Sequence, residues 1–167
     1  MIRLPSDYIN KAAPYHVEIM NEGSAHFVTD SGLNYIVSFD IDDASLSRIC
    51  YQLVIVNVDN KPSPRDKKLR DTIVAIIEGF FSINNEVMLY ICDAGDGKQA
   101  MRARLFSYWF AHYSRNKQVT FLSSSIKDDE GIENFAALIM RNDNPHFAEV
   151  VKEFGDTIQL LNVKPQD

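Results

Sequence analysis

The sequence predicts an α+β fold. An antiparallel β-meander opens the chain, and helix, strand, helix, hairpin and helix follow, in one mixed sheet with helices mainly on one face. Three observations predict it. The first sixty residues hold short alternating apolar segments separated by turn residues. Two later stretches, from Asp66 and from Asn144, repeat apolar residues at helical spacing. Between them, Val87 to Cys92 is an apolar run too short for a helix and bounded by polar turns.

The elements follow in order. Residues 1–13 are mixed in character, carry Pro5 and precede Pro14, and read as an irregular N-terminal arm. Tyr15 to Met20 alternates as a first strand, and Asn21 to Ser24 turns the chain into a second at Ala25 to Thr29. Asp30-Ser31-Gly32 is the next turn, with Gly32 available for positive φ. In the third strand, Leu33 to Ile41, residues Tyr35, Val37, Phe39 and Ile41 face one way and Asn34, Ile36, Ser38 and Asp40 the other. Asp42 to Ser47 is polar and turn-like. Ile49 to Val58 is a fourth strand, and its apolar run Leu53 to Val56 places it centrally in the sheet.

Asp66 to Ser82 is a helix with an apolar stripe of Leu69, Ile73, Ile76, Ile77 and Phe80. Arg65, Lys67, Lys68 and Arg70 crowd its first turns against the helix dipole. Val87 to Cys92 is a strand and Lys98 to Ser114 a helix. Lys117 to Ser125 and Ile132 to Arg141 form a hairpin. Asn144-Pro145 is a helix start, with Asn as N-cap. Phe147, Val150, Val151 and Phe154 then keep helical spacing, Gly155 reads as the C-cap, and Thr157 to Val163 as a last short strand.

At 167 residues the chain fits a single domain, 1–167, with a polar tail at 164–167. The alternative is two small subdomains divided at Asn60 to Pro64. The net charge of -6 argues against general nucleic-acid binding, because phosphate contacts need clustered Lys and Arg. Local basic patches at Lys61 to Arg70 or Arg102 to Arg115 stay open. Cys50 and Cys92 fit no zinc or redox spacing and read as reduced, buried thiols of a cytoplasmic protein. No apolar run is long enough for a membrane span, and none near Met1 resembles a signal peptide.

The densest chemistry lies in the run from Glu86 to Tyr113, where a strand, an acidic turn and an aromatic helix succeed one another. On a helical wheel Met101, Leu105, Tyr108, Trp109 and His112 share one face, with Arg102 inside the apolar arc. An Arg there needs a partner, and Asp93 and Asp96 are nearest. The favoured reading is structural. Asp96 caps the helix with Gln99 completing a capping box, and Asp93 pairs with Arg102 or Lys98.

Two functional readings stand beside it. Asp93 and Asp96 could hold a divalent metal for phosphate-ester hydrolysis; no second acidic cluster is tied to them by sequence, although Asp40, Asp42 and Asp43 also end a predicted strand. Alternatively Lys98 and Arg102 bind a small anionic ligand. Gly95-Asp96-Gly97-Lys98 lacks phosphate-loop spacing, and no dinucleotide fingerprint exists, so no cofactor is expected. The four histidines are scattered without metal spacing, and Ser123-Ser124-Ser125 has no nucleophile elbow.

The pattern Asp93-x-x-Asp96-Gly97-Lys98-x-x-x-Arg102-x-x-Leu105-Phe106-x-x-Trp109-Phe110 resembles an uncharacterised family of small proteins from Bacteroidetes bacteria. In that family a segment matching Thr29-Asp30-Ser31-Gly32-Leu33-Asn34-Tyr35-Ile36-Val37-Ser38-Phe39 precedes it. The resemblance implies a bacterial, cytoplasmic protein and supplies no activity. The favoured function class is a non-catalytic binding or interaction module, with an unknown protein or small anion as partner. A homo-oligomer through an exposed sheet edge belongs to that class. The alternative is a metal-dependent phosphate-ester hydrolase or nuclease centred on Asp93 and Asp96.

Overall fold

A computed structural model describes residues 2–92, 105, 107–109, 111–112, 118–127, 130–131 and 133–162. It is an α+β fold built on one mixed sheet of seven strands. The strands are β1 (Glu18–Ile19), β2 (Ala25–Val28), β3 (Asn34–Asp42), β4 (Cys50–Asn57), β5 (Met88–Cys92), β6 (Val119–Lys127) and β7 (Glu133–Arg141). The helices are α1 (Ser6–Ala12), α2 (Lys67–Ile83) and α3 (Phe147–Asn162). Residues 105, 107–109 and 111–112 are also helical. The strand order is β1-β2-β3-β4-β5-β7-β6, so β4 is central as its apolar run predicts. β4 and β5 are parallel, and the segment carrying α2 supplies the crossover that this requires. The chain divides into two compact units, residues 1–40 with 53–85 and residues 41–52 with 86–167.

In the first unit, residues expected to form an irregular arm form α1. Seven residues are too few to hold a helix by propensity, and tertiary contacts hold it instead. Ile9 is fully buried. Asn10 donates to Val17 O at 2.9 Å and accepts from Val17 N at 2.8 Å, tying the helix to the chain that enters β1. Ile9 fits because α2 presents Gly79 to it. A Cβ at Gly79 would lie 2.4 Å from Ile9 Cγ1.

α2 buries the predicted stripe of Leu69, Ile73, Ile76, Ile77 and Phe80. Asp66 is its N-cap and accepts from the main-chain N–H groups of Lys68 and Leu69. Tyr15, Phe27 and Tyr35 stack across the adjoining strands, with centroids 6.1 and 5.6 Å apart. Gly23 and Gly32 take positive φ in the two turns.

In the second unit, Val87, Leu89, Ala136, Leu138 and Met140 meet Val150, Phe154 and Ile158 of α3. The alternate residues point the opposite way. There Trp109, fully buried, packs edge-on against Tyr90 at 5.2 Å and Phe121 at 6.4 Å. Leu105 is buried with it, as the helical wheel predicts, and Ser107 is exposed.

Three expectations are corrected here. Ile41 does not share the buried face of Tyr35 and Val37. It is 66% exposed, and the next residue, Asp42, is buried, because the loop after β3 folds back on that carboxylate. Gly155 does not end the last helix, and 157–163 do not begin with a strand. α3 runs through to Asn162, because Ile158 continues the buried spacing of Val150 and Phe154 while Gly155 stays on the exposed side. Asn144 does cap the helix, accepting from His146 N at 2.9 Å.

The two helical glycines should respond oppositely to alanine. Gly79→Ala forces Ile9 aside and should cost about 1–3 kcal/mol. Gly155→Ala meets nothing within 4 Å and should stabilise by about 0.5–1 kcal/mol. Urea unfolding of the two variants checks the pair. Equal signs would refute the placement of α1 on Gly79.

Candidate functional site

Asp93, Asp96, Lys98 and Arg102 lie outside the described residues, as do the turn and the start of the helix that carry them. On the strand side, β5 runs to Cys92 immediately before Asp93, and Ile91 is 46% exposed. On the helix side, Trp109 is anchored in the core, and Tyr108 and His112 stack at 5.8 Å, both half-buried.

Among the described residues, the buried carboxylate of the second unit is Asp42. It lies where β3 gives way to the 43–49 loop, and it accepts four hydrogen bonds. Ala44 N and Ser45 N donate to Oδ1 at 3.0 and 2.9 Å. Ser45 Oγ and Gln52 Nε2 donate to Oδ2 at 2.7 and 2.8 Å. Burial works to raise its pKa, but these donors together outweigh burial and hold it at about 2, below the ordinary 3.8. Each oxygen has two donors, so this carboxylate organises a loop and does not bind a ligand.

Beside it, Cys50 is fully buried and donates to Asp42 O. Burial, then the charges of Asp42 and Glu153, push the thiol up to about 12. A thiol held protonated is no nucleophile. The same loop is pinned to α3. Ser47 Oγ donates to Glu153 at 2.7 Å, and Arg48 pairs with Glu149.

In the first unit, the basic residues at the start of α2 are partly accounted for. Lys68 Nζ pairs with Asp30 at 2.9 Å and sits 5.7 Å from the Tyr15 ring centroid. Tyr15 OH donates to Asp66 at 2.6 Å and accepts from Asp30 N at 3.2 Å. Arg70 pairs with Asp71. These contacts fix the entry to α2 and take two of the cations into local pairs.

Among the described residues, the surface with features of a binding site is the outer edge of β6. The two sheet edges differ. β1 is two residues long, whereas β6 is nine. Long exposed edges are ordinarily blunted by charge, proline or a bulge. From Val119 to Ile126 the sequence is Val-Thr-Phe-Leu-Ser-Ser-Ser-Ile, with no charge, proline or glycine. β6 pairs with β7 in unbroken register from Val119↔Arg141 to Lys127↔Glu133.

The direction of the main-chain groups follows from that ladder. Asn142 N donates to Gln118 O at 2.8 Å, which makes the even-numbered residues of β6 the ones bonded to β7. The odd-numbered residues therefore point their N–H and C=O groups away from the sheet. At one end those groups are occupied. Asn162, the last residue of α3, donates to Ser125 O at 3.1 Å and accepts from Lys127 N at 3.1 Å. Its amide stands where one residue of an added strand would stand. Sequence reasoning places a strand here but misses its edge position. The uncharged serine run is the signal that could have found it.

Among the described residues, no group of three or more His, Cys, Asp or Glu side chains could hold a metal. No described helix is long and apolar enough to cross a membrane. The model of a family of unknown function matches residues 65–156, a stretch that includes β5, β6 and β7. No curated protein and no solved structure matches the chain.

The Asp42 network makes a pH prediction. A carboxylate held below its ordinary value contributes stability that is complete above 3.8 and is lost as the pH falls through about 2. Asp42→Asn should cost about 1–3 kcal/mol at neutral pH, through broken donors at Ser45 and Gln52. It should also flatten the acid limb of the stability curve. Urea midpoints across the acid range check both, and an unchanged acid limb would refute the role given to Asp42.

Proposed function

The chain belongs to DUF6169, a family of unknown function, and from that premise we propose that it is a non-catalytic interaction module that takes up a partner by strand addition at β6. The observation that carries the reading is the contrast between the two edges. One is a two-residue strand, and the other is nine residues long and uncharged over its first eight. Strand addition uses main-chain groups for affinity and alternate side chains for selectivity. β6 offers both, with Ser123 exposed and Thr120, Leu122, Ser124 and Ile126 half-buried. The buried polar groups of the described residues support the same side of the choice. Asp42 has all its donors, and Cys50 is protonated. The motif resemblance supports a bacterial source and a cytoplasmic setting, in which Cys50 stays a free thiol.

Asp93, Asp96, Lys98 and Arg102 enter this reading as an ion-pair cluster that joins β5 to the aromatic helix. Thermal unfolding tests that role. Asp93→Asn should lose about 3 kcal/mol, and Mg²⁺ or Mn²⁺ should shift the midpoint of neither wild type nor variant. A midpoint raised by metal in the wild type alone would transfer the cluster to metal-dependent phosphate-ester hydrolysis.

The edge itself is tested with proline. Ser123 points its N–H away from β7, so Ser123→Pro removes no bond within the sheet while it blocks the outer edge. Wild type and Ser123→Pro serve as paired baits for affinity capture from a bacterial lysate. The variant should keep the circular dichroism of the wild type and lose the proteins that the wild type retains. Capture of the same set by both baits would sink strand addition at β6.

A further inference from the structure

We propose that Leu46, Ser47 and Arg48 form a lid that opens while the rest of the second unit stays folded, and that Glu149 and Glu153 of α3 are its catch. Opening uncovers the place that Leu46 fills and, beside it, the thiol of Cys50. The β6 edge takes no part in this.

The loop between β3 and β4 is attached in two ways. Its root is held from inside. Ala44 N, Ser45 N and Ser45 Oγ all donate to the buried carboxylate of Asp42, and Gln52 of β4 completes the set. Residues 46–48 are held from outside. Ser47 N donates to Glu153 Oε1, and Ser47 Oγ donates to Glu153 Oε2 at 2.7 Å. Arg48 pairs with Glu149, one helical turn before Glu153. All of these outer bonds are exposed to solvent. Between root and catch, Leu46 is the one buried residue of 43–49, and it joins the apolar cluster that holds Cys50, Val150 and Phe154.

The balance at this loop favours local opening. Residues 43–48 are bends, with no helix or strand ladder to hold them. Exposed hydrogen bonds open far more readily than a packed core. Arg48 Nε is buried and has no hydrogen-bond partner among the described residues. An orphaned donor disfavours the closed state, and opening returns it to water. Glu149 and Glu153 are like charges four residues apart on α3, a spacing at which they repel, and Arg48 offsets that repulsion when the lid is shut. Against these terms stands the burial of a single aliphatic side chain, Leu46. Its departure leaves Val150, Phe154 and Ile158 on the sheet and the Asp42 root intact. Cys50 is fully buried when the lid is shut and donates to Asp42 O, so access to its thiol reports the opening.

Labelling of Cys50 by N-ethylmaleimide, located by peptide mass mapping, tests the lid at neutral pH across dilute urea. Four proteins are compared: wild type, the Glu149→Ala/Glu153→Ala double variant, Ser47→Ala and Lys152→Ala. In the wild type, the labelling rate should scarcely change with urea below the unfolding transition, because a local opening exposes little surface. The double variant should label roughly tenfold faster and Ser47→Ala a few-fold faster, in line with the loss of exposed hydrogen bonds. Lys152→Ala breaks only an exposed pair with Asp156 and should label like the wild type. Amide exchange separates lid from root. The double variant should accelerate exchange at Ser47 N–H and leave it unchanged at Ser45 N–H. No labelling below the unfolding transition, or labelling that follows the global urea slope, overturns the lid. So does a gain in labelling no larger than the variant's loss of global stability in urea. Equal rates in the wild type and the double variant overturn the catch, and exchange that rises equally at Ser45 and Ser47 overturns the division between lid and root.

Discussion

The constraint on which the second unit depends is the burial of β7 on both faces. Ala136, Ala137, Leu138, Ile139 and Met140 are five consecutive residues, all nearly inaccessible. A strand apolar on both sides is stable only inside a sheet that is covered above and below. α3 covers Ala136, Leu138 and Met140, and Trp109 lies on the opposite side with Tyr90 and Phe121. β7 must therefore lie between two strands. It pairs with β5 over five residues and with β6 over nine.

The position of β6 is a consequence. In a simple meander β6 would lie beside β5, with β7 outermost. That order would expose one side of the most apolar strand in the unit and would bury the serines of β6. The observed order, β5-β7-β6, does the reverse. It leaves outermost a strand whose buried residues are confined to Val119 and Phe121. The edge position of β6 is thus the by-product of satisfying β7, and among the described residues Asn162 bonds its far end. This links core packing to the surface on which the proposed function rests.

The described polar clusters share a different logic. Asp42, Asp66 and Asn144 each sit where a strand or loop changes direction, and each satisfies main-chain N–H groups. Tyr15, Lys68, Ser47 and Arg48 then attach these turns to neighbouring elements. Charge in these places sets geometry. Cys50, held protonated by burial, is likewise a packing residue. At the far end of β6, Ser125 O and Lys127 N are likewise taken up by one amide, that of Asn162.

Local pattern determined much of this protein. Alternation, turn residues and helical stripes specify the strands through β7, the helix from Asp66 and its buried stripe, and the helix start at Asn144, because those signals act within a few residues of the chain. The wheel that puts Leu105 and Trp109 inward has the same origin. Only the tertiary structure decided the rest. α1 exists because Gly79 admits Ile9 from a site seventy residues away in sequence. Asp42 turns inward because Ser45 and Gln52 converge on it. α3 passes through Gly155 because Ile158 finds the sheet. The order β5-β7-β6, and with it the edge that Asn162 occupies, was settled by which strand needed cover on both faces. That is a comparison between strands, and no local window contains it.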